Sequence, residues 1–170
     1  ADVNVVPAWE KSTGSSQVVV AVVDGVVDYD HEDLAGNIWY NNAEKDGVEG
    51  QDDDQNGYVD DIFGFNFYSN KGFSGMKNPA AADGANHGTH VAGTVAAVNN
   101  NGIGVGGVAG GSGKGDGVKM MSCQVFSGNS SATIAARAKA YEYAANNGAC
   151  IIQCSFGLPG GNVTSDGVLE

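Results

Sequence analysis

The sequence is poor in positive charge. Lys and Arg total 8 against 20 Asp and Glu, a formal net charge of −12. Binding a nucleic-acid backbone needs clustered cations, so a nucleic-acid partner is not expected. Cysteine is scarce as well. Cys123, Cys150 and Cys154 are an odd number without Cys-x-x-Cys spacing, which argues against a disulfide framework and against a zinc site. Cys123 and Cys154 fall within expected strands, where a buried thiol acts as a small hydrophobe. No apolar run is long enough to span a bilayer, so no membrane partner is expected. No signal segment is evident either, so a secreted origin would require prior processing. Several catalytic signatures are also missing. Ser74 and Ser112 both fail Gly-x-Ser-x-Gly spacing. The glycines around Lys114 fail the phosphate-loop pattern, because Gly115 follows the lysine where Ser or Thr should be. His87 and His90 lack the glutamate of a His-Glu-x-x-His metallopeptidase helix.

What is present suits one domain with a core: 170 residues, 42% of them apolar. Glycine, at 27 residues, is about twice its usual share, so many turns and close backbone approaches are expected. Pro7 can open a helical turn after Val5. The β-branched run from Gln17 to Asp24 reads as a central parallel strand covered on both faces. Residues 62–68 alternate like a short strand, and 69–85 form a loop. Thr89, Val91, Ala92 and Val95 give helical spacing within 86–98. Residues 118–126 make a second buried strand. An amphipathic helix over 132–147 follows, with Ser131 as N-cap, Ile134, Ala138, Tyr141 and Ala145 on its apolar face, and Gly148 as terminator. Residues 149–154 form a third strand. Strand, helix and strand in this order predict a parallel crossover unit. The fold class is therefore α/β, a mostly parallel sheet flanked by helices.

In such sheets ligands gather beyond the carboxyl ends of the strands, which is where Asp24 stands. His87 sits at the expected start of the helix, and an imidazole can accept a proton near neutral pH, as a general base must. Asp52, Asp54, Asn56, Gly57 and Asp60 occupy positions 1, 3, 5, 6 and 9 of an EF-hand-type loop, but the twelfth residue is Phe63 and not Glu. A complete EF-hand is excluded. Alternating oxygen ligands about a glycine turn still suit calcium, with Asp52, Asp54, Asn56, Tyr58 and Asp60 as the candidate set.

Three segments together resemble the subtilisin-like serine peptidases, the subtilases: Asp24–Leu34 (DGVVDYDHEDL), Asn86–Gly93 (NHGTHVAG) and the strand ending Ser155-Phe156-Gly157. The resemblance covers residues 5–161. It departs at Gly25, where the family has Ser or Thr, at Val26, where it has Gly, and at Gln153, which replaces an Asn. The resemblance implies an Asp-His-Ser triad in which Asp24 and His87 are the first two members. It implies that Ser155, Phe156 and Gly157 form one substrate-pairing edge, with Gly128, Asn129 and Ser130 opposite. It also implies a second calcium site at Asp33, Val98, Asn100, Ile103 and Val105, although the loop is one residue longer than in the shortest relatives. The family's nucleophile segment, Gly-Thr-Ser-Met-Ala, and its oxyanion asparagine do not occur in these 170 residues. The chain is accordingly expected to be one partial catalytic domain, incomplete at its C-terminus, which partners the missing portion of the same enzyme and a polypeptide substrate. It is expected to be secreted after loss of a signal and pro-segment, and to expose an apolar surface where further strands would pack. The alternative is a non-catalytic calcium-binding structural or adaptor domain derived from a subtilase. Asn129 and Asn162 also begin Asn-x-Ser/Thr sequons.

Overall fold

A computed structural model describes residues 3–73 and 86–157. Most of the 69–85 loop and everything after Gly157, including Asn162, lie outside the described residues. The element order is α1 (Val6–Trp9), β1 (Val19–Asp24), a 3-10 turn at Ala35–Asn37, α2 (Asn42–Lys45), β2 (Gly64–Asn66), β3 (Lys71–Gly72), α3 (Asn86–Ala96), β4 (Lys119–Gln124), β5 (Phe126–Ser127), β6 (Ser130–Ser131), α4 (Ile134–Asn146) and β7 (Ala149–Gln153).

Five strands form one sheet in the order β3-β2-β4-β1-β7. β1 lies parallel to both β4 and β7, and β2 parallel to β4; only the two-residue β3 is antiparallel. The sheet is thus mostly parallel and flanked by helices, as the sequence pattern implies. Alternation along β1 builds a core on each face. Val20 and Val22 join Met120, Val26, Phe73 and the α3 residues Ala92 and Ala96 on one side. Ala21 and Val23 join Met121, Cys123, Phe65, Phe67 and the α4 residues Ala140, Tyr143 and Ala144 on the other. Burial on both faces explains why β1 reads as an unbroken apolar run.

Three local expectations are corrected. The N-cap of α4 is Thr133, not Ser131; the Thr133 hydroxyl accepts a hydrogen bond from the Ala136 amide at 3.1 Å. The buried face of α4 is Ala140, Tyr143 and Ala144, whereas Ile134, Ala138 and Ala145 are exposed and Tyr141 half-buried. Small alanines let this helix lie close to the sheet, so bulk did not mark the inward side. Lastly, β7 ends at Gln153, so Cys154 is not a strand residue. β7 pairs only with β1 among the described residues, and Ile151 and Ile152 are 53% and 38% exposed, as an incomplete sheet implies. Cys154 lies just past it and is exposed, unlike Cys123 in β4, where burial pushes the thiol pKa up.

Candidate active site

The carboxyl ends of β1, β4 and β7 present Asp24, Gln124 and Gln153 at one edge of the sheet. Asp24 is buried there at 2% exposure. The α3 helix brings His87 to it, and His87 Nδ1 lies 2.7 Å from Asp24 Oδ1. The side chains differ sharply in exposure, 66% for His87 and 3% for Asp24. A carboxylate only accepts, so Nδ1 donates, and the lone pair of Nε2 is left available on the exposed side of the ring.

Backbone fit sets this contact. A Cβ at Gly88 would stand 2.3 Å from the Gly25 carbonyl oxygen, so only glycine lets the start of α3 come this close to the turn after β1. The turn is tied down by Thr89, whose hydroxyl accepts from the Asp28 amide at 3.0 Å, and by Ser122, whose hydroxyl accepts from the Val27 amide at 3.2 Å. The Gly25 amide donates to Asp24 Oδ1 at 2.6 Å. Asp24 Oδ2 is buried and has no partner among the described residues. Gly25, where the family carries a hydroxyl, has no side chain to offer the carboxylate and reaches it only through its amide. Val26, the other departure, is accommodated: it does not take a positive φ, and its side chain is fully buried in the core.

Ser155, Phe156 and Gly157 follow β7 at the same edge, with Ser155 and Gly157 exposed. The Ser155 hydroxyl accepts from Gln153 Nε2 at 2.8 Å. Phe156 meets Phe126 edge to face, ring centroids 5.0 Å apart, which joins the two stretches proposed as substrate edges. The opposite stretch is not an open edge. Ser127 pairs with Ser130 and Phe126 with Ser131, so Gly128 and Asn129 form the tip of a tight hairpin and the backbone of Ser130 is engaged within it.

The acidic loop converges on different residues from those the spacing suggests. Oxygens of Glu44, Asp52 and Asp54 lie within 4.8 Å of one another. Glu44 was invisible to the EF-hand pattern because it comes from α2, eight residues before Asp52. It is buried, and its Oε1 accepts from the Asp53 and Asp54 amides at 2.6 and 3.3 Å while Oε2 accepts from the Asp60 amide at 2.8 Å. Asp52 accepts from the Asn56 and Gly57 amides, and Asn56 Oδ1 accepts from the Tyr58 amide. Asp60 is outside the acidic group; both its oxygens accept from the Gly50 amide. Three clustered carboxylates repel one another, and an all-oxygen donor set suits a hard divalent cation, so Glu44, Asp52 and Asp54 fit calcium.

Beneath them Asp61 is fully buried. It accepts from Tyr143 Oη at 2.6 Å, Asn41 Nδ2 at 2.9 Å and Asn56 Nδ2 at 3.0 Å. Burial raises the Asp61 pKa above its ordinary value, against the lowering pull of those three donors. Burial, then the Asp61 charge, drives the Tyr143 pKa far above its ordinary value, so the phenol keeps its proton and donates.

Around Asp33 the arrangement differs from expectation by one residue. Asn101, not Asn100, reaches it: Asn101 Nδ2 donates to Asp33 Oδ1 at 2.7 Å, and the Val105 amide donates to Oδ2 at 2.8 Å. Asn100 turns instead toward the Ser112 carbonyl. Asn101 Oδ1 accepts from the Ile103 amide, so its amide presents nitrogen, not oxygen, to Asp33. Of the positions named for a second calcium site, Asp33 and Val105 are thus brought together, with Asn101 standing where Asn100 was expected.

The sequence model of the Subtilase family matches residues 15–168. The chain is 39% identical over 137 residues to "Subtilisin-like protease 1" of Plasmodium berghei, covering 81% of this chain and 21% of that protein. It is 33% identical over 150 residues to "Thermophilic serine proteinase" of Bacillus sp. (strain AK1), covering 88% and 28%. Among solved structures it resembles the Prenylagaramide maturation protease PagA with a TM-score of 0.52 at 21% identity, covering 89% of this chain and 38% of that one. The nisin leader peptidase NisP from Lactococcus lactis gives 0.50 at 22% identity, covering 86% and 34%. At such identities the structural likeness speaks for the fold alone, and the chain spans 21% and 28% of the length of these two curated relatives. With the family match spanning most of the sequence and the histidine helix packed against the strand-end aspartate, the chain belongs to the subtilase family of serine peptidases.

Proposed function

We propose that this chain supplies the general base, His87, and its orienting carboxylate, Asp24, to an endopeptidase that works through an acyl-enzyme. The observation that carries the reading is the 2.7 Å Nδ1–Oδ1 contact with the rest of the imidazole exposed. Nε2 takes the proton of a serine hydroxyl, the serine oxygen attacks the peptide carbonyl, and His87 returns the proton to the leaving amine. Water then releases the acyl group by the same exchange. Asp24 holds the imidazole tautomer and stabilises the imidazolium. The serine and the oxyanion donor come from a segment outside this sequence, and the chain alone does not turn over. Ser155, Phe156 and Gly157 line the cleft on one side, while Gly128, Asn129 and Ser130, closed into a hairpin, stand at its opposite rim without pairing with the substrate.

Calcium held by Glu44, Asp52 and Asp54, with Asn56, Tyr58 and Asp60 shaping the loop, stiffens residues 52–61 against local opening. Halolysin-like extracellular serine protease Nep of Natrialba magadii, 32% identical, is named for an extracellular setting, and we place this protein there too. The test is turnover of a casein-like polypeptide by the complete enzyme and its Asp24→Asn and His87→Ala forms. Loss of turnover in both variants supports the reading.

A second reading follows from Asp24 Oδ2, which has no partner among the described residues, and from Gly25, which brings no hydroxyl to the carboxylate: a calcium-binding structural domain that no longer catalyses. A complete, folded protein with calcium bound and no turnover would establish that second reading and sink the first.

A further inference from the structure

The Asn129-Ser130-Ser131 sequon has no part in the chemistry above, and the fold gives it an unusual place. Phe126–Ser127 and Ser130–Ser131 pair antiparallel, which leaves Gly128 and Asn129 as a two-residue turn. Gly128 takes φ +55, as the first central residue of a primed hairpin turn requires, while Asn129 keeps a negative φ. Gly128, Asn129, Ser130 and Ser131 are all exposed. Neither the Asn129 amide nor the Ser131 hydroxyl is engaged in a hydrogen bond among the described residues, so both sequon groups face outward. The base of the hairpin is anchored by the Phe126–Phe156 contact at the cleft.

We propose that Asn129 is an acceptor for an N-linked glycan, and that the sugar stands on the rim of the substrate cleft. Asn129 Nδ2 bonds to the anomeric carbon of a lipid-diphosphate-linked oligosaccharide. The carbon–oxygen bond to the diphosphate breaks, the amide loses one proton, and the lipid diphosphate leaves. A bulky, hydrated group at a hairpin tip costs the core nothing, because no side chain there is buried. Its position restricts bulky folded substrates more than short peptides. That consequence rests on the peptidase reading, whereas the modification itself does not.

The test is secretion of the full protein from a eukaryotic host in an Asn162→Gln background, so that the second sequon is silent. Peptide mass spectrometry after enzymatic deglycosylation in heavy-oxygen water should find labelled aspartate at position 129. Ser131→Ala, which leaves Asn129 in place, should abolish the label. Unmodified Asn129 in the secreted protein, or a label that survives Ser131→Ala, overturns the proposal. In the complete enzyme, deglycosylation should raise turnover of a folded protein severalfold and leave a short peptide's turnover unchanged. Equal effects on both would overturn the placement of the sugar on the cleft rim while leaving the peptidase reading untouched.

Discussion

Two groups of carboxylates in this chain are held in opposite ways. In the acidic loop, Glu44, Asp52 and Asp61 accept hydrogen bonds at nearly every turn, from backbone amides, two asparagines and a core tyrosine. At the carboxyl edge of the sheet, Asp24 has one imidazole, one backbone amide and an oxygen with no partner among the described residues. Saturation rigidifies the loop and leaves its side chains little freedom to react. Sparse coordination leaves the Asp24 charge directed at His87, where an imidazolium needs it. The same residue type is therefore held for rigidity in one place and left free to act on an imidazole in the other, and the partner count separates them.

The sharpest break of that contrast is at the catalytic pair. In the complete enzyme Asp24→Asn should lower kcat on the order of 10⁴-fold while leaving the melting temperature nearly unchanged, read by turnover and thermal unfolding together. A large loss of stability with modest loss of turnover would reverse the assignment of roles.

Cation removal should do the reverse. Calcium at about a hundred times its dissociation constant stabilises by roughly 2.7 kcal/mol. Chelation should remove that increment in the wild type and remove little in Asp52→Asn/Asp54→Asn, as followed by calorimetry.

Gly88→Ala probes the link between the two elements of the active site. The added methyl meets the Gly25 carbonyl. A cost of about 1–3 kcal/mol is expected, with a fall in turnover beyond what unfolding explains.

Asp61 gives a pH test of the saturated region. Its folded pKa is raised above the unfolded value near 3.8, so the folded state holds the proton more tightly. In calcium-free buffer this group's contribution to stability should therefore decline as pH rises from about the unfolded pKa through the folded one. Asp61→Asn should flatten that slope in denaturant titrations at successive pH values, and a slope of opposite sign would contradict the burial argument.

The smallest expected effect lies at the exposed edge of β7. Ile151→Lys should change monomer stability by about 0.5 kcal/mol or less, yet reduce self-association in sedimentation at high concentration. If the wild type is already a monomer there, the exposed edge is not a sticking surface.

Much of this architecture was legible in the chain. The run Val18–Val23 could only be a strand buried on both faces, and an aspartate at its carboxyl end falls where parallel sheets place chemistry. HGTHVAG declared a helix, and the structure brings its first histidine to Asp24. The oxygen-rich stretch from Asp52 to Asp60 declared a loop able to meet a hard cation, since alternating carboxylates about a glycine are a local property.

The tertiary structure decided what depends on distance along the chain. Glu44 joins Asp52 and Asp54 only because α2 folds back onto the loop. Asn101 takes the place beside Asp33 while Asn100 turns to the Ser112 carbonyl, a choice that spacing alone could not resolve. Tyr143 faces inward, toward Asp61 across 82 residues of sequence, although the helix pattern pointed to another face. Local sequence sets backbone preference and side-chain chemistry. Which donor reaches which carboxylate is set by long-range packing.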